Sequence, residues 1–400
     1  MAAIAVVQDA GKGPAAREVP EPAFSAFPLL DVAVADDPQR LTGVEWDRRT
    51  ARLRLFGIDR AAAEAAVASV NEALLARGLP RADVLFVSVN RSLSMLREIV
   101  HGVVKDAALL GITPTEARID PAESRVLVGM TGVATVQRSA LFDRYGDAVA
   151  VFHQPNRAEP EDGPERYKDR YPYWGGAAIA GWIGTNFSRC TTGFSLRRGG
   201  ADPKHFAVTA GHCANAYPTG TEFNTLSGTD EWTNVIGTSA GYANTYIGEP
   251  FDSGDVTVAR TSGGQAVIYN GGVRDAVAST VRSYVEGTPA PDTQMCVSGS
   301  TSGRVCGFMV NSGGLYNVVQ VGNVFHAVGP LVEVRNPSGG CTTGGDSGGP
   351  WYRQVSGGVQ AAGVHHGASP ADGDGGVCRK RYTALYYPHR AFDAVTLTNP

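Results

Sequence analysis

A serine framed by glycines in Gly344-Gly345-Asp346-Ser347-Gly348-Gly349-Pro350 can project its hydroxyl clear of neighbouring side chains. The glycines let backbone approach a bound carbonyl closely. The amides of Gly345 and Ser347 can then both point at a developing oxyanion. A G-x-S-x-G turn occurs in unrelated hydrolases and acquires meaning only with a base and an orienting acid elsewhere. The base is His212, delivered at the end of the apolar run Phe206-Ala207-Val208-Thr209-Ala210-Gly211-His212-Cys213. The acid is Asp255, at the head of the alternating strand Asp255-Val256-Thr257-Val258-Ala259-Arg260. Asp252 competes for that role, but a strand headed by Asp252 would bury Asp255. A hydroxyl nucleophile, an imidazole and a carboxylate are the parts of covalent acyl transfer.

Such groups need rigid elements to hold them. The chain has 400 residues, enough for two or three domains of about 150 each. Charged residues make up 18% and there are 50 glycines, a composition that fits a turn-rich β protein. The formal charge is −4, from 35 basic and 39 acidic side chains, too balanced for nucleic acid or an anionic membrane as partner. No apolar run approaches the ~20 residues that cross a bilayer. The short apolar start Met1–Val7 lacks a basic lead, so no signal peptide is read there. All 6 cysteines lie beyond position 189, which places this half in an oxidising compartment. Secretion is therefore expected, with the leader missing from this start. No C-x-x-C pair suggests zinc, and neither metal nor cofactor is expected.

The stretches around His212, Asp255 and Ser347, in that chain order, resemble the chymotrypsin-type serine peptidases. The α/β-hydrolases run Ser, Asp, His, and too little chain follows Ser347 for that fold. With Cys190-Thr191-Thr192-Gly193, the small loop Cys296–Gly307 and Cys341 six residues before Ser347, residues 175–400 resemble the bacterial streptogrisin and α-lytic protease branch. The resemblance implies an all-β fold of two packed six-stranded antiparallel barrels with the triad in the cleft between them. It implies Ser347 as nucleophile, His212 as general base and then acid, and Asp255 as the group that orients the imidazole. It selects the disulfides Cys190–Cys213, Cys296–Cys306 and Cys341–Cys378 from fifteen possible pairings, each worth about 2–4 kcal/mol.

Two positions depart from that family. Relatives carry an Arg in the small loop that pairs with the Asp before the nucleophile; Val297 stands there, leaving Arg304 as candidate partner of Asp346. Relatives also support the catalytic Asp with a Ser in the strand after the nucleophile, where this chain has His366. By resemblance Thr342, Thr343, His365, His366, Gly367 and Ala368 form the primary specificity pocket. Cys341 occupies the place of the Asp that selects Lys or Arg, so an apolar preference is expected ahead of one for Glu.

The first half reads differently. Residues 1–40, rich in Ala, Pro and acidic side chains without sustained period, are expected to be a disordered tail. Residues 41–157 read as an α+β domain holding a weak internal repeat. A turn and strand in Asp47–Leu55, helix Arg60–Arg77 and strand Val84–Val89 return as Asp120–Val128, Val133–Tyr145 and Ala148–Phe152, with a helix over Ser92–Leu110 between. This unit resembles the pro-regions of the same bacterial branch, which assist folding and inhibit the active site. Residues 158–173 read as an exposed, cleavable linker, with domain 174–400 after it and the mature start near Trp174. No Arg-Ile-Val-Gly-Gly is present, so activation through a freed N-terminal Ile is not expected. The sequence thus predicts a secreted, monomeric serine endopeptidase made as a zymogen, acting on proteins or peptides and inhibited by its own pro-region. An inactive peptidase-fold binding protein and a serine esterase are the alternatives.

Overall fold

The computed structural model describes residues 21–47, 49–130, 135–153, 169, 171–183, 186–200, 203–214, 219–225, 234–243, 254–273, 277–321, 324–368 and 376–399. Two compact units divide the chain, the first running to Arg157 and the second comprising most of the remainder. The competitor Asp252 and most of the expected linker lie outside the described residues.

The first unit contains α1 (Ala23–Asp36), β1 (Leu41–Asp47), β2 (Arg52–Gly57), α2 (Arg60–Ala76) and β3 (Val84–Ser88). The same order follows in α3 (Leu93–Asp106), β4 (Pro114–Asp120), β5 (Arg125–Met130), α4 (Thr135–Tyr145) and β6 (Val149–His153). In each half a hairpin closes over an Asp–Arg pair, Asp47↔Arg52 and Asp120↔Arg125, and its second strand pairs parallel with the strand after the helix. The repeat therefore includes a leading helix and a leading strand. Residues 23–36, expected in a disordered tail, are the first of those helices. Ala26, Phe27, Leu30 and Val34 are buried along one side of α1, and that apolar stripe outweighs the low-complexity look of the surrounding sequence.

The second unit begins with β7 (Tyr173–Gly175), β8 (Ala178–Ile183), β9 (Asn186–Thr191), β10 (Ser195–Arg198), β11 (Lys204–Thr209), β12 (Thr219–Thr225), β13 (Asn234–Ala243) and β14 (Val256–Thr261). It continues through β15 (Gly264–Tyr269), β16 (Ala278–Tyr284), β17 (Gln294–Gly299), β18 (Gly303–Val321), β19 (Val324–Asn336), β20 (Pro350–Val355), β21 (Gly358–Ala368) and β22 (Cys378–Ala384). A short helix, α5 (Tyr386–Phe392), and β23 (Val395–Thr396) end it.

One β half is a closed ring of six strands, β17-β18-β19-β22-β21-β20 and back to β17. Val297, Phe308, Val310, Val332, Val334, Trp351 and Tyr382 pack into one cluster there. The other half is an eight-stranded sheet, ordered β23-β10-β11-β14-β13-β12-β8-β9, that curls without closing. The two-barrel architecture is present, but this half is not the closed six-stranded barrel expected. Strand β10 already has β11 on one edge and β23 on the other, so it offers β9 no free ladder. A shared core joins the halves: Phe206, Val208, Val256 and Val258 meet Tyr352, Val359, Val364 and Leu385. Each such side chain contributes about 1.5–3 kcal/mol on burial. All three expected disulfides are formed.

Candidate active site

Ladder register brings His212 to Asp255. Strand β11 runs antiparallel to β14 with Thr209 opposite Thr257. The end of one therefore lies beside the start of the other, and a short 3-10 turn, Gly211–Ala214, presents His212 there. Asp255 Oδ1 accepts from His212 N at 3.0 Å and Oδ2 from His212 Nδ1 at 2.6 Å. Asp255 N donates to Thr383 Oγ1 at 2.9 Å. Gly254 precedes it at φ +76°, where a Cβ would overlap the Thr383 side chain. Asp255 is fully buried. Burial alone pushes its pKa up; His212 and His366 beside it more than reverse this and hold the carboxyl well below the usual range.

The turn that carries Ser347 is held from three sides. Gly345 and Gly348 take φ +90° and +89°, and a Cβ on Gly348 would overlap Thr209 Oγ1 and Thr191 O. Thr191 N donates to Ser347 O at 2.7 Å, and Thr191 Oγ1 and Ser300 Oγ donate to Gly345 O at 2.7 and 2.9 Å. The Asp346 carboxylate accepts from the amides of Thr301, Ser302 and Thr343 at 2.8, 3.0 and 2.9 Å. Arg304 is exposed and makes no ion pair with Asp346, so the expected partner is replaced by backbone. Main-chain amides in the Cys296–Cys306 loop already satisfy the carboxylate that Arg would have met.

Ser347 is fully buried, and Cys213 Sγ, one residue past His212, lies 3.9 Å from its carbonyl. Its hydroxyl donates to His366 O at 3.4 Å, while His212 Nε2 is buried with no hydrogen-bond partner among the described residues. No carbonyl accepts from Gly345 N among the described residues.

The expected pocket residues separate. Thr342 and His365 are buried together, 3.2 Å apart from Oγ1 to Nε2, and Trp351 Nε1 donates to His365 Nδ1 at 3.1 Å. Thr343 is exposed, its amide held by Ser302 Oγ and Asp346. Gly367 and Ala368 continue β21 against Arg381 and Lys380. His366 lies against the acid and away from the Thr342–His365 group, with Nδ1 2.5 Å from Asp255 Oδ2. Strand alternation already turns adjacent residues to opposite faces, and a bulge lies at the same point: His365 pairs Tyr382 and Gly367 pairs Arg381, leaving His366 as the extra residue. Its ring meets that of His212 edge-on at 5.6 Å. Burial lowers the His366 pKa, and the opposing pull of Asp255 does not restore it.

Behind His366 stand Asn317, Arg381 and Glu333, all buried and all missed by sequence reasoning. Glu333 carried a signal, a carboxylate set within the apolar run Leu331–Val334.

Among solved structures, the chain is similar to Thermobifida fusca protease A, at 25% identity over 56% of this chain and 98% of that one, TM-score 0.39. A glutamic acid specific serine protease that uses a histidine triad in substrate binding matches at 22% identity, over 56% and 100%, TM-score 0.40. Cellulomonas bogoriensis chymotrypsin matches at 24%, over 56% and 98%, TM-score 0.38. The chain is similar to bacterial chymotrypsin-type serine proteases. No family model and no curated protein matches the sequence.

Proposed function

We propose that the chain is a serine endopeptidase. The observation that carries this reading is the His212–Asp255 pair, at 2.6 Å, together with a turn of two glycines at positive φ that presents Ser347. In the proposed cycle Ser347 Oγ attacks the substrate carbonyl while His212 Nε2 takes its proton. The amides of Gly345 and Ser347 receive the oxyanion. His212 then protonates the leaving amine, and water releases the acyl group by the reverse steps. Asp255 keeps the imidazole proton on Nδ1 and stabilises the imidazolium. The cycle requires Ser347 Oγ to rotate from His366 O to His212 Nε2; such bonds are commonly unmade before substrate binds.

The pocket reading is a neutral one. An indole N–H only donates, so His365 Nδ1 accepts from Trp351 and the imidazole proton sits on Nε2 toward Thr342. Neither Thr342 nor His365 in this tautomer offers a positive charge to a substrate carboxylate, which supports cleavage after Phe, Tyr or Leu. The first unit is proposed as a pro-region, and three disulfides support an extracytoplasmic site of action. No helix among the described residues is long and apolar enough to cross a membrane.

A catalytically inactive binding protein is the second reading, favoured by the Ser347 hydroxyl facing His366 O. Treatment of the purified chain with a fluorophosphonate separates the two. Stoichiometric label on Ser347 and hydrolysis of a peptide library are expected; absence of both overturns the peptidase reading.

A further inference from the structure

Asp255 Oδ2 receives two imidazole nitrogens, His212 Nδ1 at 2.6 Å and His366 Nδ1 at 2.5 Å. An imidazole can place a proton on either nitrogen or on both, so what faces Asp255 depends on what holds the far side of His366. That far side is closed by groups whose roles are fixed. Arg381 Nη1 donates to Asn317 Oδ1, and Asn317 Nδ2 faces His366 Nε2 in a short contact. A guanidinium has donors and no acceptor, so the Asn317 atom it meets must be the carbonyl oxygen. The amide nitrogen is thereby turned to His366 and donates. His366 Nε2 must then carry a lone pair, and its single proton lies on Nδ1.

We propose that His366 is a positioning residue for Asp255, locked as the neutral Nδ1–H tautomer by one-way hydrogen bonds that run from Arg381 through Asn317. The proposal rests on the peptidase reading for its consequence but not for its geometry. Arg381 is itself anchored: Glu333 Oε2 lies 3.5 Å from its Nη2, with Arg379 3.6 Å and Asn311 2.8 Å from Oε1. Among the described residues, the charged or titratable groups facing His366 are Asp255 and His212 on one side and Arg381 on the other, with Glu333 and Arg379 behind Arg381. A neutral donor at Asp255 does two things. It gives Asp255 Oδ2 a second hydrogen-bond donor within a fully buried site. It also leaves the negative charge to His212, because a second imidazolium would compete for it when His212 takes the serine proton. An Nδ1 that carries a proton has no lone pair for a cation, which separates this arrangement from a metal site built on the same three side chains.

The test reads the tautomer directly. In the full-length chain labelled with ¹⁵N-histidine, with His366→Gln identifying the signal, His366 is expected to stay neutral with its proton on Nδ1 from about pH 5 to 8. A proton on Nε2, or an imidazolium in that range, overturns the proposal. Asn317→Asp puts an acceptor-only group on Nε2 and should move the proton there. With it, the rate at which a fluorophosphonate labels Ser347 should fall about ten- to hundredfold. His366→Leu should show the same fall, while His366→Gln, which keeps a donor, should stay within about tenfold of the parent. An unchanged rate in Asn317→Asp sinks the proposal. Should that variant fail to fold, the parent tautomer and the Gln–Leu pair decide. A parent chain that takes no label overturns the proposed function, and the tautomer still decides the relay.

Discussion

The two β halves of the second unit deliver their side chains by different means. The curled sheet supplies His212 and Asp255 through register: β11 and β14 are paired residue for residue, so a whole ladder of backbone bonds sets where their ends lie. The closed ring supplies Ser347 and His366 through exceptions, a turn with two glycines at positive φ and a bulge in β21. Positions set by register tolerate changes that spare the ladder. Positions set by exceptions depend on single residues that no neighbour can replace.

The proposed mechanism draws on both halves, and the largest effects should come from the groups themselves. Ser347→Ala should lower peptide turnover by about 10⁶-fold; a variant keeping more than a few per cent of activity removes Ser347 from the role of nucleophile. Asp255→Asn should cost about 10⁴-fold in turnover through the wrong imidazole tautomer, and Asp252→Asn far less. The reverse ranking would move the acid to Asp252.

Next come the supports. Gly348→Ala should destabilise the fold by about 1–3 kcal/mol, since φ +89° is strained for any Cβ and the new methyl meets Thr209 and Thr191. Urea unfolding of the two proteins checks this, and equal midpoints would show that the turn adapts. The pH dependence of stability separates the ring's histidine from the sheet's acid. His366 has a lowered pKa when folded, so below about pH 6.5 the unfolded chain binds a proton that the folded chain refuses. Stability should therefore fall as pH drops from there, by up to ~1.4 kcal/mol per unit. Asp255, also lowered, adds a second decline below about pH 4. His366→Gln should flatten the first decline and spare the second; identical slopes in urea titrations would count against a neutral His366. The smallest effect belongs to Arg304→Ala, expected within about 0.5 kcal/mol because that side chain is exposed.

Much of this was legible in the amino-acid sequence. Ser347 and His212 stand in short stretches whose small residues have few other uses, and Asp255 heads a strand whose alternation survives in the fold, with Val256 and Val258 on one core and Ala259 on another. The internal repeat was legible from its helices and strands. Its leading helix was not, because α1 lies in an Ala- and Pro-rich context and carries Pro28; the helix between the copies was the available clue. The side-chain direction of His366 was legible, since alternation assigns His365 and His366 to opposite faces, but the bulge between His365 and Gly367 could not be read. Nor could the Arg381–Asn317 contact, which joins strands 64 residues apart in sequence.

The Asp346 carboxylate has a consequence for timing. In the uncut chain it already holds three main-chain amides, so the turn that carries Ser347 is complete before any peptide bond is broken. A new α-amino group would find no vacant partner there. If the first unit is a pro-region, as proposed, latency would be a matter of access to Ser347, and activation would need no refolding of the turn.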